Sequence, residues 1–374
     1  GAIGFFISYD LVILFLFLEI AVIPKFLLIY IWGTEKRQYS AMKLAIMLMF
    51  GSVLILIGIY YLYQISLING GQNIDLLSFK NHPISFYNQL ILFPFLFIGF
   101  SVFTAMFPFH SWVPDGHAAA PTAGSMFLAG ISMKLGGYGC FLIACYLFPA
   151  ATLFYAKYIL ILATISVLYG AFITLKQNDL KYLNAYSSIS HCGFIIFGIA
   201  ILNESTLKGS ILQMISHGLM TTLFFAAIGM IYKRTHTKKI NEMSGLLKSL
   251  PFISTMLILA GLTSLGLPGL SGFVAEMFII IGAFNIQNNF IWINTVLISL
   301  SLIISSIYIL NTIGKIIYGA PDPAFENLPN TYWYEKTASF ILIISIIFLG
   351  CLPSITINFI EQDIHQIIQS ILSK

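Results

Sequence analysis

The stretch 107–139, FPFHSWVPDGHAAAPTAGSMFLAGISMKLGGYG, sets the reading of the chain. It opens where an apolar run, approximately Leu90 to Pro108, meets Pro108, Pro114 and Gly116, which deny a helix its regular backbone bonds. A second apolar run, approximately Ala119 to Leu147, follows at once and carries Lys134 in mid-span. Irregular backbone at membrane depth survives only when it is buried in protein or lines a wet cavity. A broken helix beside a buried cation therefore points to the interior of a polytopic membrane protein.

The remaining sequence supports that setting. Of 374 residues, 58% are hydrophobic and 9% charged, whereas a soluble domain carries about a quarter charged residues. Each crossing needs roughly 20 apolar residues, so a chain of this length with short connections crosses about ten times. Further apolar segments run approximately from Leu11 to Ile31, Met42 to Tyr63, Tyr158 to Leu175, Leu183 to Leu202, Ile211 to Tyr232, Phe252 to Phe284, Phe290 to Tyr318 and Phe340 to Ile360. Assigning alternate connections to opposite sides gathers Lys36, Arg37, Lys43, Lys176, Lys181, Lys233, Arg234, Lys238, Lys239, Lys248, Lys315 and Lys336 on one side. Lys80, Lys157, Lys208 and Lys374 fall on the other. The basic side is the cytoplasmic or matrix side.

A second break, LGLPGLSGFVAE at 265–276, interrupts the eighth span with Gly266, Pro268, Gly269 and Gly272. Two broken spans five apart are what inverted repeats give, with ion sites near the midplane beside the breaks. No long Gly/Ser linker or low-complexity run appears, so residues 1–374 read as one transmembrane domain of all-α class.

The ionisable residues within spans are few: Glu19, Lys25, His110, Lys134, His217 and Glu276, with His117 and His191 nearer span ends. A charge at mid-membrane costs roughly 2.5–3.5 kcal/mol on insertion scales, so such groups face a protein interior and mark ion pathways. Burial and neighbouring charges move the protonation of carboxylates and amines, and a neighbour's movement can then load or unload a proton. Glu19, one turn before Pro24, Lys134, beside glycines that permit close helix approach, and Glu276, after the second break, are the leading proton-path candidates. The competing reading for Glu19 is a structural ion pair.

His217 joins them, on a polar stripe with Gln213, Ser216, Thr221 and Thr222; imidazole passes protons through either nitrogen. His110 and His117 bracket the first break and either cap it or extend the path. Lys25, near the basic end of its span, is expected to snorkel to the surface, and Lys181 to be a surface or coupling residue.

Other chemistry finds no support. The net charge of +4 comes from scattered residues that form no basic, aromatic-interleaved patch, so nucleic acid is not indicated as a partner. Cys140, Cys145, Cys192 and Cys351 form no CxxC pair and are expected as buried small hydrophobes, with neither metal nor disulfide. There is no GxGxxG after a strand, no GxxxxGK[ST], and no nucleophile–base pair that suggests hydrolysis. Gly1 opens the chain without methionine or a charged leader, which suggests a processed, split or truncated start.

The 107–139 stretch resembles the signature of chain 4 of NADH:ubiquinone oxidoreductase, an antiporter-like proton-pumping subunit family of complex I. FLEIAVIPKFLLIYIWG (17–33), NDLKYLNAYSSISHCGF (178–194) and LTSLGLPGLSGFVAEMFI (262–279) agree in order, so the resemblance covers essentially the whole chain. It implies antiporter-like inverted repeats and a line of charged residues across the membrane plane. Glu19 takes the place of the family's fifth-helix glutamate, Lys134 of its eighth-helix lysine, Glu276 of its twelfth-helix glutamate and His217 of a polar-axis histidine. It implies no cofactor on this chain, since NADH, flavin and quinone belong to other subunits.

The implied partners are other membrane-arm subunits, including the antiporter-like subunits 2 and 5, and phospholipids. The implied location is a mitochondrial inner membrane or a bacterial plasma membrane, with Ile, Phe, Tyr and Asn richness favouring the former. Two departures stand out. The family's lysine seven residues before the first-break histidine is Phe103 here, which leaves Glu19 without its expected cation. Gly1 also aligns near the end of the family's fourth helix, so the N-terminal helices are lost or supplied by a separate polypeptide. A stand-alone or hydrogenase-associated cation/proton antiporter, and a non-conducting structural module, are the alternative functions.

Overall fold

The computed structural model describes residues 1–68, 74–81, 84–326 and 328–372; Lys374 and the side chain of Lys80 lie outside the described residues. The helices are α1 (Ala2–Ile7), α2 (Leu11–Trp32), α3 (Arg37–Ile68), α4 (Leu76–Asn81), α5 (Phe86–Thr104), α6 (Trp112–Ala119), α7 (Thr122–Phe127), α8 (Met133–Phe141), α9 (Pro149–Thr174), α10 (Leu180–Ile201), α11 (Glu204–Thr235), α12 (Leu246–Ser249), α13 (Pro251–Ser264), α14 (Ser271–Phe284), α15 (Asn289–Ile316), α16 (Trp333–Cys351) and α17 (Pro353–Leu372). Nine continuous rods among the described residues are long and apolar enough to cross a membrane, one of them Thr122–Leu147, in which α7 and α8 are joined by a π-helical turn. The half-helices α13 and α14, 14 residues each, make a tenth crossing.

Helix starts follow local chemistry. Asp10, Asp179 and Asn288 accept hydrogen bonds from the first free N–H groups of α2, α10 and α15, and Pro149 and Pro251 open α9 and α13, where a missing N–H costs nothing. α10 and α11 form the centre of the bundle: nine-tenths of the apolar window of α10 is buried, whereas α16 is largely exposed along its outer face.

Both breaks stand where the prolines and glycines put them. After α5 the chain turns through Ala105 in the left-handed region, φ 62°, and the Trp112 indole donates 3.0 Å to the carbonyl of Val102, which also accepts from Ala105 N–H at 3.1 Å. Between α13 and α14, Gly266 and Gly269 take φ of 76° and 92°, conformations that glycine adopts without strain.

Contacts between connections bear out the sidedness read from the basic residues. The carbonyl of Lys238 accepts from Leu180 N–H at 3.0 Å, and that of Ala119 accepts from Thr34 N–H at 2.8 Å, joining basic-side connections. On the other side Leu76 N–H donates to the carbonyl of Tyr9 at 3.0 Å.

Two expectations are corrected. The last crossing ends at Cys351, not Ile360: after Leu352 the chain enters α17, an amphipathic helix that buries Ile364 and Ile367 against the bundle. Hydropathy alone runs across this corner, because CLPSITINFI is apolar on both sides of the turn. Cys351 is exposed, its thiol 3.5 Å from the carbonyl of Gly269, while Cys140, Cys145 and Cys192 are buried as expected.

Candidate functional site

Lys134 stands on α8 directly after the π-helical turn Leu128–Ser132, where Met133 N–H bonds back to the carbonyl of Leu128. Such turns widen a helix and loosen its carbonyls. Lys134 is 5% exposed, and its ammonium nitrogen donates to the carbonyl of Ala129 and lies 2.8 Å from His217 Nδ1 on α11. Two glycines make that approach possible: a Cβ on Gly218 would stand 2.8 Å from the carbonyl oxygen of Gly130.

The line continues through α10. The rings of His217 and His191 lie 5.4 Å apart, and His191 Nε2 is 3.1 Å from Ser264 Oγ at the end of α13. His191 Nδ1 is 3.2 Å from both Gln213 Nε2 and Glu276 Oε1. Glu276 Oε1 has no properly aligned hydrogen bond, so the two side chains lie within ion-pair distance without being hydrogen-bonded. When neutral, with its proton on Nε2, His191 accepts from Gln213; when protonated at Nδ1, it turns a donor towards Glu276.

Glu276 is 2% exposed, and its Oε2 lies where a Cβ on Gly266 would stand, 2.7 Å away. Both ends of this line meet open volume. A cavity of about 520 Å³ reaches Lys134 between Ile131, Tyr138, Met214 and Thr222, and one of about 330 Å³ reaches Glu276 beside Gly266 and Ser306.

Glu19 sits apart on α2, half-buried, and accepts from the hydroxyl of Ser52. His110 and His117 are enclosed at the first break. The His110 ring stacks on Phe107 and meets Tyr169 edge-on at 4.6 Å, with Nδ1 unpartnered. His117 is 0% exposed and stacks on Phe225, with neither ring nitrogen bonded. His117 does not cap the break through either ring nitrogen, and the indole of Trp112 takes part of that task.

Three expectations fail on placement. Lys25 does not snorkel: it is 1% exposed and donates 2.6 Å to Ser132 Oγ. Its position was readable, since Leu14, Leu18, Ala21 and Ile29 form a buried stripe at helical spacing and Lys25 lies on it. Lys181 is no surface residue, for its ammonium is buried against the carbonyl of Ala120 at 2.6 Å and ties α10 to the first break. His191 is not near a span end but in the middle of α10, bridging His217 and Glu276. The serines at 187, 188 and 190, polar residues in an apolar helix, were the signal for it.

A bundle with two interrupted crossings and a buried Lys–His–His–Glu line between them is the architecture of an antiporter-like membrane subunit. Residues 8–320 match the family model for the transmembrane region of NADH:quinone oxidoreductase and Mrp antiporters, and the chain belongs to that family. It is 35% identical over 367 residues to NADH-quinone oxidoreductase subunit M of Rickettsia bellii, covering 98% of this chain and 73% of that protein. It is 38% identical over 323 residues to a chain 4 of NAD(P)H-quinone oxidoreductase of Microcystis aeruginosa, covering 85% of this chain and 58% of that protein.

Among solved structures, a chain of respiratory complex I from Thermus thermophilus superposes with a TM-score of 0.91 at 25% identity, over 98% of this chain and 77% of that one. A chain of the Mrp complex from Dietzia shares the fold at a TM-score of 0.87 and 17% identity, over 100% of this chain and 78% of that one.

Proposed function

We propose that protons cross this subunit along the line Glu19, Lys134, His217 and Glu276, with His191 joining the last two. The chain works as a proton-translocating membrane subunit of the NADH-quinone oxidoreductase type. The contact that carries the reading is Lys134 Nζ to His217 Nδ1 at 2.8 Å, a titratable pair enclosed in apolar helices. With His217 Nδ1 accepting from Lys134, the imidazole proton sits on Nε2, which is buried without a partner. That proton is free to pass to His191 through one bridging water, the usual way in which buried polar groups this far apart are satisfied. A further transfer from His191 Nδ1 to Glu276 delivers it beside the second break.

His110 and His117 flank the route at the first break and, in this reading, extend the path there. In this reading the redox chemistry lies on other subunits and the chain needs no cofactor of its own. Its partners are neighbouring membrane-arm subunits, among them antiporter-like subunits 2 and 5, with phospholipid around the exposed apolar rim. The bacterial relatives favour a plasma membrane over the mitochondrial inner membrane.

The test is Lys134→Ala in the purified complex, reconstituted in vesicles and driven by NADH. Proton uptake falls on the order of tenfold or more, the scale of losing a positioned proton-transfer group. Uptake at the unaltered rate ends the proposal.

A further inference from the structure

We infer that Lys25 carries protons between Glu19 and Lys134, an inference that rests on the proton-path reading above. Glu19 otherwise stands apart from the Lys134–His217–His191–Glu276 line, and one buried cation fills the space between. Lys25 follows Glu19 by six residues on α2, about 9 Å along the axis, a span that two long flexible side chains can close. Glu19 accepts from the hydroxyl of Ser52, and Gly51 beside it packs against the Phe103 ring. From the other side, Lys25 Nζ reaches across to the π-helical turn before α8, 2.6 Å from Ser132 Oγ, two residues before Lys134. The third wall is Phe103 on α5, 1% exposed, whose ring centroid lies 6.0 Å from the same nitrogen. Among the described residues, an ammonium here has one hydroxyl and the face of one ring for solvation. That is thin compensation for taking a charge out of water, and such groups inside membranes serve ion pathways.

The transfer balances without any co-reactant. Glu19, as carboxylic acid, gives its proton to the neutral Lys25 amine, which leaves a carboxylate and an ammonium. The ammonium donates to Ser132 Oγ while the hydroxyl, which both accepts and donates, releases its own proton by way of bridging water towards the Lys134 amine on the next face of the helix. Lys25 returns to the neutral amine, and Lys134 becomes the ammonium that faces His217.

A counter-charge and a carrier differ in one respect: only the carrier must release its proton. Lys25→Arg keeps the positive charge beside Glu19, but arginine does not deprotonate in proteins. In the reconstituted complex we expect Lys25→Arg to assemble and to lower NADH-driven proton uptake at least fivefold. Unaltered uptake in Lys25→Arg overturns the inference. The double variant Lys25→Met/Phe103→Lys returns an amine to the same volume from the opposite wall, and uptake within twofold of the parent supports it. Should Lys25→Arg fail to assemble, the double variant decides alone, and assembly without proton uptake overturns the inference. Lys134→Ala serves as the separating control. Uptake lost in Lys134→Ala but intact in Lys25→Arg removes Lys25 from the path and leaves the path itself; uptake intact in Lys134→Ala removes the path.

Discussion

At the scale of single residues, Glu276 ends a line of four titratable side chains, and its role is separable from its shape. Glutamine at 276 keeps the volume against Gly266 and a polar oxygen near His191, but it cannot take or give a proton. We predict that Glu276→Gln assembles at the parent level while proton uptake per NADH falls on the order of tenfold. Full uptake would show that the carboxylate only neutralises His191. The same residues mark how far the sequence could be read. Glu19, Lys134, His217 and Glu276 announced themselves because a charge in an apolar run is chemically conspicuous. Lys25 was misread because distance from a helix end was weighed above helical phase, and its phase places it inside. His191 was placed near a span end because the serines beside it blend into an apolar helix: Ser188 bonds back to the carbonyl of Asn184, while Ser187 reaches across to Ser264 and Tyr308, which the sequence does not show.

At the scale of elements, the join of α5 and α8 shows what the glycines near Lys134 do. A Cβ on Gly136 would stand 2.2 Å from the backbone nitrogen of Thr104, at the end of α5, where no side chain can swing away. We predict that Gly136→Ala forces the helices apart and lowers stability by about 1–3 kcal/mol, the cost of overpacking. Gly314, in α15, has no atom within 4 Å of the added carbon, so Gly314→Ala is neutral or stabilises by up to about 1 kcal/mol through helix propensity. Thermal denaturation in detergent compares the two, and equal effects would refute the close-contact account.

Both breaks were legible because proline and glycine act locally on the backbone. The π-helical turn before Lys134 was not, for LAGIS holds one glycine and no proline, and that glycine packs against Gly218 and Thr222 of α11, a tertiary contact that local residue types do not reveal.

At the scale of the whole molecule, α11 passes through the bundle from one side to the other and is tied down at both ends by ion pairs of different kinds. At the basic side Arg234, its side chain 1% exposed, lies 2.7 Å from Glu335 Oε2 at the start of α16 and donates to the carbonyls of Pro329 and Asn330. At the other side Lys208 lies 2.8 Å from Glu204 and 2.6 Å from Glu361 of α17, but these glutamates are 38% and 50% exposed. The two clasps look alike in distance and differ in what is left behind when the cation goes. Without Arg234, the Glu335 carboxylate, its side chain 9% exposed, loses its buried partner and keeps the Tyr332 N–H and Lys233 at 4.0 Å, which costs about 1–3 kcal/mol. Without Lys208 the glutamates take up water, which costs about 1 kcal/mol or less. We therefore predict that Arg234→Ala sharply reduces the assembled complex seen on a native gel, while Lys208→Met leaves it near the parent level. Lys208→Met instead speeds hydrogen exchange in α17, which loses its tie to α11. Equal assembly of the two variants would mean that burial does not decide the strength of these clasps, and that α16 is held by its apolar contacts alone.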